Sequence, residues 1–335
     1  MAATHHWPVW DKRVMEVLTN QRDMYKFMHD QTVRLINKGY TMLEIAAEFE
    51  KPGFLPAQFA EWYNRGYYGS ISHDVRAIYQ KYIGWYDMNP SNLNPLPPEA
   101  VAKEYVAAMG GEAAVAKLID SAVGKNNLRW AAELGKHLVF ANPSAANQNR
   151  LAAIYEKLGY ACEAGTWRNM YLTGRAELTN GKPISPNGGT ANPAMLTAMD
   201  DDMLFEFFAC HLNADVAHYS GVFIEEEDNV DGGAFKVMVT HQKVLTWTLP
   251  KSSKNKQDAL RHLIGALQFD RLIVKNRSVL VSLILKLKPL AQVISDQDAT
   301  VISGISDTNI EAERRVSAFF DQFEMNDRPF NIVTP

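Results

Sequence analysis

Thr179-Asn-Gly-Lys-Pro-Ile-Ser-Pro-Asn-Gly-Gly-Thr-Ala-Asn-Pro193 separates two kinds of sequence. Glycine, proline and asparagine dominate it and no apolar period survives, the signature of a linker. Upstream, from Glu99 to about Leu178, the chain is rich in alanine and its apolar positions recur at helical spacing. That spacing predicts helices near 99–109, 112–123, 127–141, 144–159 and 163–177, punctuated by Gly110-Gly111, Gly124, Asn142-Pro143 and Gly159. Paired helices of this length stack in tetratricopeptide arrays; a plain compact bundle fits the pattern equally well. Small residues on the helices allow close packing, within one chain or between chains. Downstream, an amphipathic helix over about 200–213 leads to strand-like runs at 221–225, 234–239 and 243–248. Asp231-Gly-Gly233 joins the first two as a hairpin-type turn. Helical and strand segments then alternate to Ile305, and 309–323 reads as a final helix. The expected fold is a helical block followed by a small α+β domain.

The first hundred residues are also helical. Val14, Val17, Leu18, Met24, Tyr25, Met28, Leu35 and Ile36 keep helical spacing up to Gly39, a natural stop. Thr41-Met-Leu-Glu44 is a capping box, predicting a short helix to about Glu50. Pro52 and Pro56 break it, and Pro56 opens a helix to about Asn64. Ser72 is the expected N-cap of a helix carrying Val75, Ile78, Tyr79 and Tyr82 and stopped at Gly84. Pro90, Pro95, Pro97 and Pro98 stiffen the crossing that follows.

A chain of 335 residues suits two or three domains. Its 47% apolar and 21% charged residues are globular proportions. A net charge of -4 leaves no basic footprint for nucleic acid. Cys162 and Cys210 form no Cys-x-x-Cys pair and read as separate buried thiols. The most apolar window, 278–285, is too short to span a membrane and runs into Lys286 and Lys288. No basic region followed by an apolar core opens the sequence, so no signal peptide is expected and localisation is open.

The chemistry-capable groups gather in Arg65-Gly-Tyr-Tyr-Gly-Ser-Ile-Ser-His73. A histidine opening a helix can donate a proton, hydrogen-bond an anion or cap its own helix. The helix's free amides make an anion site, Arg65 can clamp an oxyanion, and Tyr67 or Tyr68 can hydrogen-bond one. The plainer readings pair Arg65 with Glu61 and place the tyrosines as core rings. His5 and His6, in Thr4-His-His-Trp-Pro8, read as an exposed loop, because no spaced His partner exists in the chain. His29, His137, His211, His218, His241 and His262 read as structural, and Glu225-Glu-Glu-Asp228 as a solvated face. Phe205, Phe207, Phe208, Leu283, Ile284 and Leu285 read as core, with a lipid cavity as the alternative.

Several stretches together resemble the zinc-dependent alkyl sulfatases of the metallo-β-lactamase superfamily. They are Thr4-His-His-Trp-Pro8, Gln21-Arg-Asp23, the 65–73 run, Gly84-Trp-Tyr-Asp87 with Asn89-Pro90, Met109-Gly-Gly111, Tyr171-Leu-Thr-Gly174 and Phe330-Asn-Ile-Val-Thr-Pro335. The resemblance implies three parts: the end of a metallo-β-lactamase-like catalytic domain over 1–40, a helical, tetratricopeptide-like dimerisation domain over 41–178, and, after the 179–193 linker, an α+β domain over 194–335 similar to sterol carrier protein 2. It implies a homodimer that hydrolyses long-chain primary alkyl sulfates, such as dodecyl sulfate, to alcohol and sulfate with two zinc ions. An alkyl sulfate or a fatty ligand would be its partner, with neither nucleic acid nor a membrane span. Carried over by position, His73 and Tyr68 become catalytic, Arg65, Tyr67 and Ser70 hold sulfate, and His5, or alternatively His6, binds zinc. The family's His-x-His-x-Asp-His motif is absent from this sequence. The chain is therefore expected to be a truncated, catalytically incomplete form; the alternative is a non-catalytic, dimerising, lipid-binding protein.

Overall fold

The computed structural model describes residues 1–2, 7–181, 192–228, 234–248, 269–305, 307–324 and 333–334. They form two compact units, Met1–Pro183 with Phe330–Pro335, and Ile184–Pro329.

In the first unit, α1 (Lys12–Ile36) buries Val17, Met24, Met28, Thr32 and Leu35 along one face. The Thr41–Glu44 capping box forms, the Glu44 carboxylate accepting from the Thr41 amide at 2.8 Å, and α2 (Met42–Phe49) starts where it should. α3 (Ile71–Ile83) ends at Gly84, whose φ of 89° suits glycine. Met24, Met28, Leu35, Ile45, Phe49, Phe59, Val75 and Tyr79 share one cluster, which joins residues on both sides of position 40.

The segment from Pro56 to Asn64 is not the single helix expected. It forms two short 3-10 turns, Ala57–Ala60 and Trp62–Asn64, separated by an extended Glu61 (ψ 139°). The reason is a split allegiance. Phe59 joins the cluster under α1 to α3, whereas Tyr63 packs with Val9 and Val17. One continuous helix cannot send both rings where their burial lies.

The alanine-rich block matches its spacing closely: α4 (Pro98–Ala108), α5 (Glu112–Gly124), α6 (Leu128–Ala141), α7 (Ala145–Ala161) and α8 (Gly165–Asn180). α4 and α5 both pack on α6, α6 on α7, and α7 on α8. Here the small residues serve packing inside the chain. A methyl at Gly135 would sit 2.8 Å from Leu151 of α7, and one at Gly159 would sit 3.0 Å from Leu172 of α8.

The second unit opens with α9 (Pro193–Ala198) and α10 (Asp201–Ala209), the latter capped by Asp200. Five strands follow: β1 (Ser220–Glu226), β2 (Ala234–Val239), β3 (Leu245–Thr248), β4 (Asp270–Val274) and β5 (Ala299–Ile302). Their order is β3-β2-β1-β4-β5, with β1 and β4 parallel and the other pairs antiparallel. α11 (Arg277–Ile284) and α12 (Leu290–Ser295) link β4 to β5, and α13 (Asn309–Phe320) closes the unit. β3 begins later than expected because Lys243 adopts φ 58° and belongs to the turn after β2. The expected 231–233 turn and most of the linker lie outside the described residues.

Phe205, Phe208, Leu283, Ile284 and Leu285 are core, and Phe207 packs against them. The Phe208 and Phe323 rings stack at 3.8 Å. The acidic run is not a solvated face throughout. Strand alternation points Glu226 to the same side as Val222 and Ile224, where it is 2% exposed. Arg277 meets it there at 2.6 Å, also pairs with Asp201, and lies over the Phe235 ring. Glu225, on the other face, pairs with Arg271 at 2.6 Å. Among the described residues no helix is long and apolar enough to cross a membrane.

Removing the guanidinium from this network leaves Glu226 charged and unpartnered in the core. Arg277→Met is expected to cost about 3–5 kcal/mol, read from the urea unfolding transition of the second unit.

Candidate functional site

The 65–73 stretch is held at three points. Upstream, Tyr63 is nearly fully buried, its hydroxyl accepting from Asn20 at 2.7 Å and its carbonyl from Gln21 at 3.1 Å, both on α1. Downstream, the backbone enters α3. The cap of that helix is Ser70 and not Ser72: the Ser70 hydroxyl accepts the His73 amide at 3.3 Å, and its carbonyl accepts the His73 and Asp74 amides. Within the loop, Gly66 lies close over Gly69; a methyl on Gly66 would fall 2.9 Å from the Gly69 carbonyl oxygen.

The third point is distant in sequence. The segment Glu163–Trp167, where α8 begins, docks along the loop residue by residue. The Gly165 amide donates to the Tyr67 carbonyl at 2.8 Å, and the Thr166 hydroxyl to the Tyr68 carbonyl at 2.8 Å. The Trp167 indole N–H donates to His73 Nδ1 at 3.3 Å, and the two rings meet edge to face. Arg76 lies over the same indole, 5.6 Å from its centroid, while its Nε donates to the Ser72 carbonyl. Arg65 forms its ion pair with Glu163 and not with Glu61, and sits 5.5 Å from the centre of the Tyr67 ring.

Arg65, Tyr67, Tyr68 and His73 thus belong to one braced, solvent-facing wall. Tyr67 and Tyr68 are exposed, not core rings. Ser70 is occupied as a cap. The N-terminus of α3, expected as an anion site, carries its own acid: the Asp74 carboxylate lies against Gly69. Burial raises that carboxyl above its usual range, with His73 pulling the other way. Burial also pushes the Cys162 thiol up, with Arg168 pulling the other way. A groove of about 350 Å³ runs beside the wall, between apolar Leu55, Phe59 and Ile71 and the Arg65–Glu163 pair.

Among the described residues no three His, Cys, Asp or Glu side chains are grouped to hold a metal ion. His5 and His6 lie outside the described residues.

Residues 41–181 match the family described as alkyl sulfatase dimerisation. This chain carries an alkyl sulfatase dimerisation domain. The resemblance read from the motifs holds beyond that domain. Over 99% of its length the chain is 36% identical to an (R)-specific secondary-alkylsulfatase of Pseudomonas sp, of which it covers 46%. It is 49% identical to a linear primary-alkylsulfatase of Pseudomonas sp over 220 residues, 65% of this chain and 32% of that protein. The solved structure of the stereoselective inverting sec-alkylsulfatase Pisa1 from Pseudomonas sp. matches 98% of this chain with a TM-score of 0.80 and 34% identity, over 48% of its own length. The chain therefore spans less than half of each of these relatives.

The wall is braced by Glu163, Gly165, Thr166 and Trp167, none of which the sequence reading selected. The available signal was an absence. Ala164 occupies the cap position of α8 and offers no side-chain acceptor. An uncapped helix start inside a folded unit needs acceptors from elsewhere, and the Tyr67 carbonyl supplies one to the Gly165 amide.

Ser70→Ala is expected to lower stability by about 1 kcal/mol, measured by thermal unfolding, through loss of the cap. Gly66→Ala is expected to cost about 1–3 kcal/mol by forcing the loop away from Gly69, with helical content unchanged by circular dichroism.

Proposed function

We propose that this chain serves the hydrolysis of long-chain primary alkyl sulfates such as dodecyl sulfate, by presenting a sulfate-binding wall on a dimerising helical domain. One observation carries this reading: the docking of Glu163–Trp167 holds Arg65, Tyr67, Tyr68 and His73 on one wall in a chain homologous to alkyl sulfatases. Arg65 exchanges Glu163 for sulfate oxygens through charge-assisted hydrogen bonds. The Tyr67 and Tyr68 hydroxyls donate to the same head group. His73 donates to the bridging ester oxygen. That oxygen gains negative charge whether water attacks sulfur and the alkoxide leaves, or attacks carbon and sulfate leaves, so one donor serves both routes. Ser70 acts by fixing the wall. The groove lined by Leu55, Phe59 and Ile71 borders the head-group position.

On this reading residues 1–40 belong to a metallo-β-lactamase-like part, 41–178 to the dimerisation domain and 194–335 to a domain like sterol carrier protein 2. His5, or His6 in its place, would serve as a zinc ligand, and a zinc site needs three or four such donors. The wall supplies no nucleophile. The chain by itself accordingly binds the substrate as a homodimer and does not turn it over. The second reading is a dimerising lipid-binding protein without catalysis.

Titration calorimetry with decyl sulfate below its micelle concentration separates the two. Arg65→Ala and His73→Asn are each expected to weaken binding about tenfold, or about 1.4 kcal/mol. Unchanged affinity in both variants, with fatty acid still bound, would favour the lipid-binding reading. Dodecanol release by the purified chain, with stoichiometric zinc, would show the chain to be catalytically complete. Sedimentation at micromolar concentration is expected to show a dimer; a strict monomer would count against the helical domain as an interface.

A further inference from the structure

The geometry points to Trp167 as a positioning residue that sets which nitrogen of His73 carries the proton, an inference that rests on the proposed role of His73 in contacting the sulfate ester. The indole nitrogen has a proton and no acceptor lone pair, so it can only donate. It lies 3.3 Å from His73 Nδ1. A donor aimed at Nδ1 requires that nitrogen to be unprotonated, and the ring then holds its single proton on Nε2. Nε2 is the far nitrogen of an exposed imidazole, so a neutral N–H donor faces solvent and any bound ligand.

The position of Trp167 is itself fixed from both sides. The two residues before it bond the carbonyls of Tyr67 and Tyr68. Arg76, one turn along α3 from His73, covers the indole face, and its own Nε is tied to the Ser72 carbonyl. The imidazole, the indole and the guanidinium therefore form a short relay anchored on two helices. Its chemical consequence is specific. A neutral imidazole does not give up its Nε2 proton readily, so His73 acts on the ester oxygen as a hydrogen-bond donor and not as an acid that loses its proton. The same use of a neutral imidazole as an electrophile is known in enzymes that polarise carbonyl groups.

The test is spectroscopic and uses the full chain. Long-range proton–nitrogen correlation spectra of histidine-labelled protein at neutral pH report the tautomer, with His73→Asn assigning the signal. The wild-type chain is expected to show His73 as the Nε2–H form. Trp167→Phe keeps an aromatic face under Arg76 and deletes only the donor; it is expected to give a mixture of both tautomers. A wild-type ring protonated on Nδ1, or on both nitrogens, would overturn the inference even if the variant failed to fold. So would a Trp167→Phe spectrum identical to wild type. Decyl sulfate affinity is expected to fall about threefold in Trp167→Phe, and the double variant with His73→Asn is expected to bind no more weakly than His73→Asn alone. Additive losses would overturn the positioning role. If the tautomer is as stated but His73→Asn binds decyl sulfate like wild type, the proposed sulfate contact fails and the positioning of His73 stands.

Discussion

The Tyr67 carbonyl accepts the first amide of α8, and the Tyr68 carbonyl accepts the hydroxyl of the next residue. Neither bond is strong alone; a typical one contributes about 1 kcal/mol net. Their importance is geometric. They join a loop that has no regular structure of its own to the end of a helix packed along α7. A methyl at Gly165 would rest on the Tyr67 oxygen at 3.4 Å, an ordinary contact, so the approach does not depend on the missing side chain. Once the two backbones are in register, Glu163 meets Arg65 and Trp167 meets His73. The exposed side chains of the wall owe their order to this backbone register as well as to their own contacts with Glu163 and Trp167.

Local signals in the sequence were legible where one interaction range decided the outcome. The Thr41–Glu44 capping box, the stop at Gly84 and the helix spacing from Pro98 to Asn180 act over a few residues and were realised nearly as spaced. The signals failed where distant packing arbitrated between local options. Ser70 and Ser72 are both competent caps, and the loop docking selects Ser70. Phe59 and Tyr63 have helical spacing but answer to different cores. Glu61 is one turn from Arg65, yet Glu163 takes the guanidinium. The family resemblance held over the chain because motif order survives where contacts cannot be read. It did not identify Trp167, which lies between the recognised motifs.

The second unit shows the same contest inside a sheet. An acidic run looks solvated until strand alternation divides it: Glu225 meets Arg271 on one face and Glu226 turns into the core. A buried carboxylate is tolerable only with a fixed partner. Arg277 fills that role from the start of α11 while reaching Asp201 of α10. A single guanidinium thus ties the sheet to two helices that the apolar core would leave free to slide.

The docking of α8 has an electrostatic consequence as well. A helix start concentrates partial positive charge from unpaired amides, and such ends commonly attract anions. Here the first of those amides is taken by the Tyr67 carbonyl oxygen, which opposes part of that field at short range. At the neighbouring start of α3, Asp74 plays the opposing part. With both helix starts partly answered from within the chain, attraction of a sulfate to this wall, on the proposed reading, rests chiefly on guanidinium groups in contact with water. Such attraction decays over a Debye length of about 8 Å at physiological salt. On the proposed reading the wall is therefore a short-range receptor for an anion delivered to it, not a long-range collector of anions from solution.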